Sequence, residues 1–279
     1  MLERIENAFA ERDRTEADLR ESEERMRRFV ADASHELRTP LAAVAAYAEL
    51  FDRGASARPD DLRRAFDGIQ RESGRMAHLV EDLLLLAHLD EGRALQLEQV
   101  DLVALAADAV STARAVGPEW PVSLHATRPV EALADPLRLR QVLDNLIGNV
   151  RVHTPPGTSV RVSVEEDEDA AVLVVGDNGP GLGEEAAHIF ERFFRADPSR
   201  SRDHGGAGLG LSIVAAIVRA HGGSVRVARS PEGGASFAVR LPKAHPPAAS
   251  GPHVEATRNR GAVVVDEGSR TTPERTARA

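Results

Sequence analysis

Residues 29–41 read Phe29-Val30-Ala31-Asp32-Ala33-Ser34-His35-Glu36-Leu37-Arg38-Thr39-Pro40-Leu41. They continue an apolar pattern that begins near the N-terminus. Leu2, Ile5, Phe9, Leu19, Met26, Val30, Ala33 and Leu37 fall on three- and four-residue steps, the seam of a coiled-coil helix. Arg12, Glu16 and Glu23 interrupt the register, so the seam is imperfect. With Val30 at position a and Ala33 at d, His35 falls at f, which points away from the seam. The imidazole is therefore expected in solvent, on a rigid helix, where a large partner can reach it. A lone surface histidine usually has no role, but the flanks of this one change the reading. Glu36 is adjacent, and a carboxylate near an imidazole can hold the tautomer that leaves the far ring nitrogen nucleophilic. Pro40 sits inside the helical pattern and removes the amide bond that would reach back to Glu36. A zinc-protease helix also begins His-Glu, but it needs a second histidine four residues after the first, where this chain has Thr39.

Working outward, Pro59-Asp60-Asp61 announces a second helix, with proline and acids suited to a first turn. Leu62, Phe66, Ile69, Met76, Val80, Leu83 and Ala87 repeat the three-four spacing. Gly54 to Arg58 reads as the turn between the two. The result is an all-α helical hairpin. One hairpin leaves apolar stripes uncovered, and two make a four-helix bundle, so a homodimer is expected.

From about Leu95 the texture changes. Short strand-like runs at Ala94–Val100, Val122–Ala126, Ser159–Val164, Ala171–Val175, Ser224–Ala228 and Ser236–Leu241 alternate with helical stretches at Asp101–Val116, Asp135–Val152 and Leu209–His221. Asp135-Pro136 is a strong helix start. This predicts an α+β two-layer sandwich, one sheet covered by helices. Residues 244–279 lose periodicity and read as a disordered tail. Val263-Val264-Val265 is an apolar exception within it.

Composition narrows the function classes. A formal net charge of -9 argues against a nucleic-acid surface. The chain has no cysteine, so disulfides, thiolate metal sites and cysteine nucleophiles are excluded. No apolar run approaches the roughly 18 residues needed to span a bilayer, and the charged start is no signal peptide. No membrane contact is expected within this chain, either because it is soluble or because a membrane part lies upstream.

Four clusters suggest a nucleotide. Asn145 and Asn149, four apart late in a helix, share one face; as an isolated pair they fit an ordinary helix equally well. Asp177-Asn178-Gly179-Pro180-Gly181 follows an apolar strand, and alone could be a plain turn. Ile189-Phe190-Glu191-Arg192-Phe193-Phe194-Arg195 holds three of the chain's eight phenylalanines. At least one ring is expected to close the sandwich core. Gly205-Gly206-Ala207-Gly208-Leu209-Gly210-Leu211-Ser212 opens a helix, where backbone N–H groups suit a phosphate. It is neither a Walker loop, lacking Gly-Lys-Ser/Thr, nor a Rossmann turn, since no strand leads into it. Residues 196–206 read as a mobile lid.

The run His35-Glu36-Leu37-Arg38-Thr39-Pro40 resembles the phospho-acceptor box of two-component sensor histidine kinases, and the four later clusters resemble their nucleotide boxes in order. The resemblance covers roughly residues 29–242. It implies a phosphotransfer and dimerisation hairpin over 29–91 and a catalytic domain of the Bergerat/GHKL ATPase fold over 95–243. The helix over 1–28 resembles the end of a HAMP-like signalling coiled coil. By the resemblance, His35 is phosphorylated by ATP, Glu36 is its general base, and Thr39 positions water when the enzyme runs as a phosphatase. Asn145, Asn149, His153, Asp177, Gly179, Gly181, Phe190, Arg195, Gly206, Gly208, Leu209 and Gly210 would border the nucleotide. Asn149 would hold Mg2+, and Asp177 would accept from the adenine amino group. The implied partners are a second copy of the chain and the receiver domain of a response regulator, in the cytoplasm. The family often has a basic residue where this chain has Val152; Arg151, one step earlier, is the candidate substitute. Sandwich-fold ATPases that use nucleotide for conformational work lack the histidine box, and ATP binding would separate a kinase from a degenerate scaffold.

Overall fold

The computed structural model describes residues 2–52, 58–195 and 207–243. The expected turn near Gly54, the expected lid with Gly206, and the tail from 244 onward lie outside the described residues.

Helix α1 (Leu2–Asp52) runs unbroken through Pro40, and α2 (Pro59–Asp90) starts where the proline and the two acids place it. The two pack side by side as a hairpin. Their outward apolar residues stay uncovered: Val30 is 54% exposed, Leu41 57%, Phe66 55% and Leu84 54%. Large apolar side chains strung along one hairpin at that exposure mark a surface that wants a partner.

The last third of α2 is different. Leu79, Leu85 and Leu86 are buried and share one core with the sandwich that follows, where α2 meets α5. Fully burying a leucine such as Leu86 contributes roughly 1.5–3 kcal/mol. Asp82 lies in this stretch, and burial pushes its pKa up to about 6, with His78 pulling it down and Glu81 raising it. A carboxyl that prefers its proton in the fold lowers stability as pH rises from about 3.8 to about 6. Asp82→Asn is therefore expected to raise Tm at pH 7.5 and to flatten the stability gained on acidification from pH 7 to 5. Thermal melts of the two proteins across that range are the check.

The sandwich builds as strand β1 (Glu98–Asp101), helix α3 (Leu102–Val116), β2 (Val122–Ala126), β3 (Glu131–Ala134), α4 (Pro136–His153), β4 (Val160–Glu166), β5 (Ala170–Asp177), a 3-10 turn (Glu184–Ala187), α5 (Gly210–Ala220), β6 (Ser224–Arg229) and β7 (Ala235–Pro242). Five strands form one sheet in the order β2-β4-β5-β7-β6, antiparallel except for the β2–β4 pair. Val160, Val162 and Val164, Ala171, Leu173 and Val175, and Phe237, Val239 and Leu241 alternate onto the buried face. That face meets α3, α4 and α5, with α4 between the other two.

Two details differ from the sequence expectation. The first strand begins at Glu98, not Ala94, because its antiparallel partner β3 offers only four residues. That partner was not foreseen: Glu131–Ala134 contains two small alanines and no β-branched residue, so it carries no strand signal.

Helices α4 and α5 are pinned to each other at their far ends. Asp135 caps α4 by accepting from the Arg138 N–H, and also accepts from the Gln96 N–H. The Asp135 N–H donates to His221 Nε2, whose Nδ1 sits 2.8 Å from the Ile217 carbonyl. His221 thus carries its proton on Nδ1 and joins the end of α5 to the start of α4. This strut sets the two helices whose other ends form the site.

Candidate functional site

The end of α4, the loop after β5, the β6–β7 turn and the start of α5 converge. Asn145, on the inner side of α4, faces the start of α5: its Oδ1 lies 3.6 Å from where a Gly210 β-carbon would stand. Its Nδ2 is buried without a hydrogen-bond partner, the sole such side-chain atom among the described residues. An orphaned buried amide is costly unless a ligand completes it. Asn149, one turn on, is half-buried.

Asp177 ends β5 and is buried. Its Oδ1 accepts from the Gly179 N–H at 2.8 Å and the Ala235 N–H at 3.3 Å. Both bonds use one oxygen, which leaves Oδ2 for a donor on a ligand. The second bond comes from the first residue of β7, just past the β6–β7 turn, 58 residues along the chain from Asp177. A β-carbon at Gly234 would overlap the Asp177 side chain and backbone. Gly181 lies against the Gly233 and Gly234 carbonyls.

Helix α5 starts at Gly210 after Leu209, and no side chain caps it. The free N–H groups of its first turn suit an anion. Gly208 has φ +72° and lies so close to Phe193 and Phe194 that no side chain fits there. Its carbonyl accepts from the Phe193 N–H at 3.0 Å.

The three phenylalanines divide their work. Phe190 turns into the core, edge-on to Phe237 at 6.4 Å between ring centres, so it closes the sandwich as one ring was expected to. Phe194 faces His188. Among the described residues Phe193 is the one non-glycine residue with positive φ (60°), and its ring lies 6.4 Å from Phe29 on α1. Arg192 stacks over the same Phe29 ring at 5.1 Å, and its Nη2 donates to both carboxylate oxygens of Asp90 at the end of α2, at 2.8 and 2.7 Å. His153 stands at the rim of the site. The residue is solvent-exposed overall, yet protein crowded around its ring, then the Arg195 cation, hold its pKa below the usual histidine value. The imidazole is thus kept neutral near pH 7.

His35 is exposed, as its f position predicts, with Glu36 half-buried and Thr39 exposed. The group beside its Nδ1 is Arg38, whose Nη1 stands 3.5 Å away. Among the described residues no cluster of three His, Asp or Glu side chains could hold a metal, and no helix is long and apolar enough to cross a membrane.

Comparison with known proteins agrees with this arrangement. Residues 25–92 match the His Kinase A (phospho-acceptor) domain family, and residues 134–245 match the family of histidine kinase-, DNA gyrase B- and HSP90-like ATPases. The "Probable sensor histidine kinase TcrY" of Mycobacterium tuberculosis is 50% identical over 224 residues, 79% of this chain and 46% of that protein. The chain spans about half the length of the curated relatives it matches. Among solved structures, the Acinetobacter baumannii histidine kinase AdeS is similar with a TM-score of 0.60 at 26% identity, over 75% of this chain and 97% of that one. The histidine kinase ThkA, solved in complex with response regulator protein TrrA, shares the fold at a TM-score of 0.62 and 21% identity, over 77% of this chain and 61% of that one. With an exposed histidine on a phospho-acceptor hairpin and an orphaned asparagine amide facing an uncapped glycine-rich helix start, the chain belongs to the two-component sensor histidine kinases.

Proposed function

We propose that this chain phosphorylates His35 with the γ-phosphoryl group of ATP and passes that group to an aspartate on a response regulator. The observation that carries the reading is the Phe193 bridge. Its backbone N–H holds the glycine turn at the start of α5, and its ring lies against Phe29, six residues before His35 on the same helix. One residue thus joins the phosphate end of the site to the helix bearing the nucleophile.

Each residue then has a task. Asp177 Oδ2 accepts from the base amino group, and Asn145 Nδ2 donates into the pocket. The first N–H groups of α5, after Gly208 and Leu209 and at Gly210, receive phosphate oxygens. Asn149 would hold Mg2+, with phosphate oxygens and water completing the shell, since Mg2+ binds through few protein ligands beside phosphates. Bound there, the ion supplies charge neutralisation. His35 Nε2 attacks the γ-phosphorus, a P–N bond forms, the bond to the bridging oxygen breaks, and ADP leaves. For Nε2 to carry the free electron pair, Nδ1 must carry the proton. Arg38, which can only donate, therefore has to leave Nδ1, and Glu36 accepts the Nδ1 proton in its place. Gly92 (φ +68°), just past α2, is the hinge about which the nucleotide lobe shifts. Separation requires release of the Arg192–Asp90 pair. The uncovered stripe of Val30, Leu41, Phe66 and Leu84 pairs with a second copy, giving a homodimeric four-helix bundle. In the phosphatase direction Thr39 positions a water that attacks the phosphorus of the regulator's aspartyl phosphate; the acyl P–O bond breaks, inorganic phosphate leaves and the carboxylate is restored. This places the chain on the cytoplasmic side, where ATP and receiver domains are available.

Incubation with Mg2+ and γ-labelled ATP is the test. The expected product is a protein-bound label that is stable in base and lost in acid, as a phosphoramidate is. Label that survives acid, or no label alongside normal ADP binding, would reject the reading.

A further inference from the structure

We propose that Trp120 and Thr154 act as positioning residues for the base end of the nucleotide, a role that rests on the nucleotide reading above. Trp120 is the chain's one tryptophan. It lies half-buried in the loop between α3 and β2, far in sequence from every nucleotide cluster. Two backbone bonds tie this loop to the segment that follows α4: Gly157 N–H to the Glu119 carbonyl and Val160 N–H to the Pro121 carbonyl, both 2.8 Å. The loop is therefore fixed against the end of α4.

Its indole N–H donates to Thr154 Oγ1 at 3.3 Å. Thr154 is the C-cap of α4, and its hydroxyl donates in turn to the Val150 carbonyl at 2.8 Å. A hydroxyl has one proton. Because that proton goes to Val150, the oxygen lone pair receives the indole. Two bonds in opposite senses set the direction of Oγ1 and fix the Thr154 rotamer. The methyl group is then aimed at the loop after β5: Thr154 Cγ2 lies 2.8 Å from where a Gly179 β-carbon would be. Gly179 gives its N–H to Asp177 Oδ1. The sequence of contacts runs Trp120, Thr154, Gly179, Asp177, and it ends on the carboxylate assigned to the base. Thr154 also follows Asn149 by five residues, so the same cap holds the turn of α4 that carries the proposed metal ligand.

The consequence is a wall behind the base subsite whose position depends on one indole N–H. Loss of that bond lets Thr154 rotate and the Gly179 backbone drift, which shifts Asp177 without touching the reacting phosphate. The effect should appear in binding, not in the chemical step.

The experiment uses the full chain and Mg-ADP as probe, with affinity from titration calorimetry and autophosphorylation rates over a range of ATP. Trp120→Phe is expected to weaken ADP about fivefold, the scale of one neutral hydrogen bond, and to raise KM similarly while kcat stays within about twofold. Thr154→Val keeps the side-chain shape but cannot accept from the indole; it should reproduce the loss, and it carries the test if Trp120→Phe folds poorly. Thr154→Ser keeps the indole bond but removes the methyl group that meets Gly179, so it should weaken ADP to a similar degree with kcat again within about twofold; parent-like affinity in this variant would overturn the contact between Thr154 and Gly179. In the parent, Trp120 emission should shift when ADP binds. Parent-like ADP affinity in Thr154→Val overturns the proposal while leaving the nucleotide reading intact. Failure of the parent itself to bind ADP overturns both.

Discussion

Glutamine at position 35 is expected to reduce incorporation of label from γ-labelled ATP to background. The nucleophilic nitrogen is lost, and a carboxamide of similar reach cannot form the phosphoramidate. The side chain is exposed and its one neighbouring polar contact is the solvent-facing Arg38, so folding should be undisturbed. ADP affinity should stay within about twofold, because distant, unconnected sites act independently. Acid-quenched and base-quenched samples of parent and His35→Gln, run side by side, give the answer. The control matters because His78, His125, His153 and His188 are also exposed. Acid-labile label persisting in the variant would move the phosphoryl group to one of these and end the assignment of His35.

Alanine at position 234 is expected to cost nucleotide binding at least about tenfold, together with a drop in stability on the scale of overpacking, about 1–3 kcal/mol. The added methyl group would overlap Asp177 and crowd the Gly179 amide. The neighbours on that side are largely backbone, which cannot rotate away, so relief must come from displacing the loop after β5. Gly74 supplies the contrast. It lies in α2 with nothing near its absent β-carbon. Gly74→Ala should raise stability by roughly 0.5–1 kcal/mol, through helix propensity alone. ADP titrations and thermal melts of both variants test the pair. Unchanged ADP affinity in Gly234→Ala would mean that the β6–β7 turn does not set the Asp177 loop.

The parts of this protein that could be read from the sequence are those governed by local rules. The three-four spacing around Val30, Ala33 and Leu37 puts His35 on the outside of a helix, and the structure leaves it exposed. Proline and acids at Pro59, Asp60 and Asp61 start α2, and the Asp135 cap starts α4, within a residue of expectation. The five strands of the large sheet follow runs of alternating or continuous apolar residues, whereas β3 is a four-residue Glu-Ala-Leu-Ala run with no β-branched residue and carries no strand signal. The fourth cluster was legible because glycines preceding an apolar helix are a local signal.

Other features depend on residues far apart in the chain. The Ala235 N–H reaches Asp177 across 58 residues, and Arg192 reaches Asp90 across 102. Gly233-Gly234 reads locally as an ordinary hairpin turn, and nothing near it points to a carboxylate. Phe190 and Phe193 look alike in sequence, but one faces Phe237 in the core and the other Phe29 on α1. Glu36 is the sequence neighbour suited to hold the imidazole, yet Arg38, one helical turn on, is the side chain beside Nδ1.

By itself, then, the sequence determined the helices, every strand of the large sheet and which side of α1 carries the histidine, because side-chain periodicity acts over a single turn or pleat. Only the tertiary structure decided which backbone amides hold Asp177, that the Asn145 side-chain amide nitrogen is left without a partner, and which phenylalanine meets the phospho-acceptor helix. Those are contacts between elements, and their energies exist only once the sheet order and the helix packing bring the surfaces together.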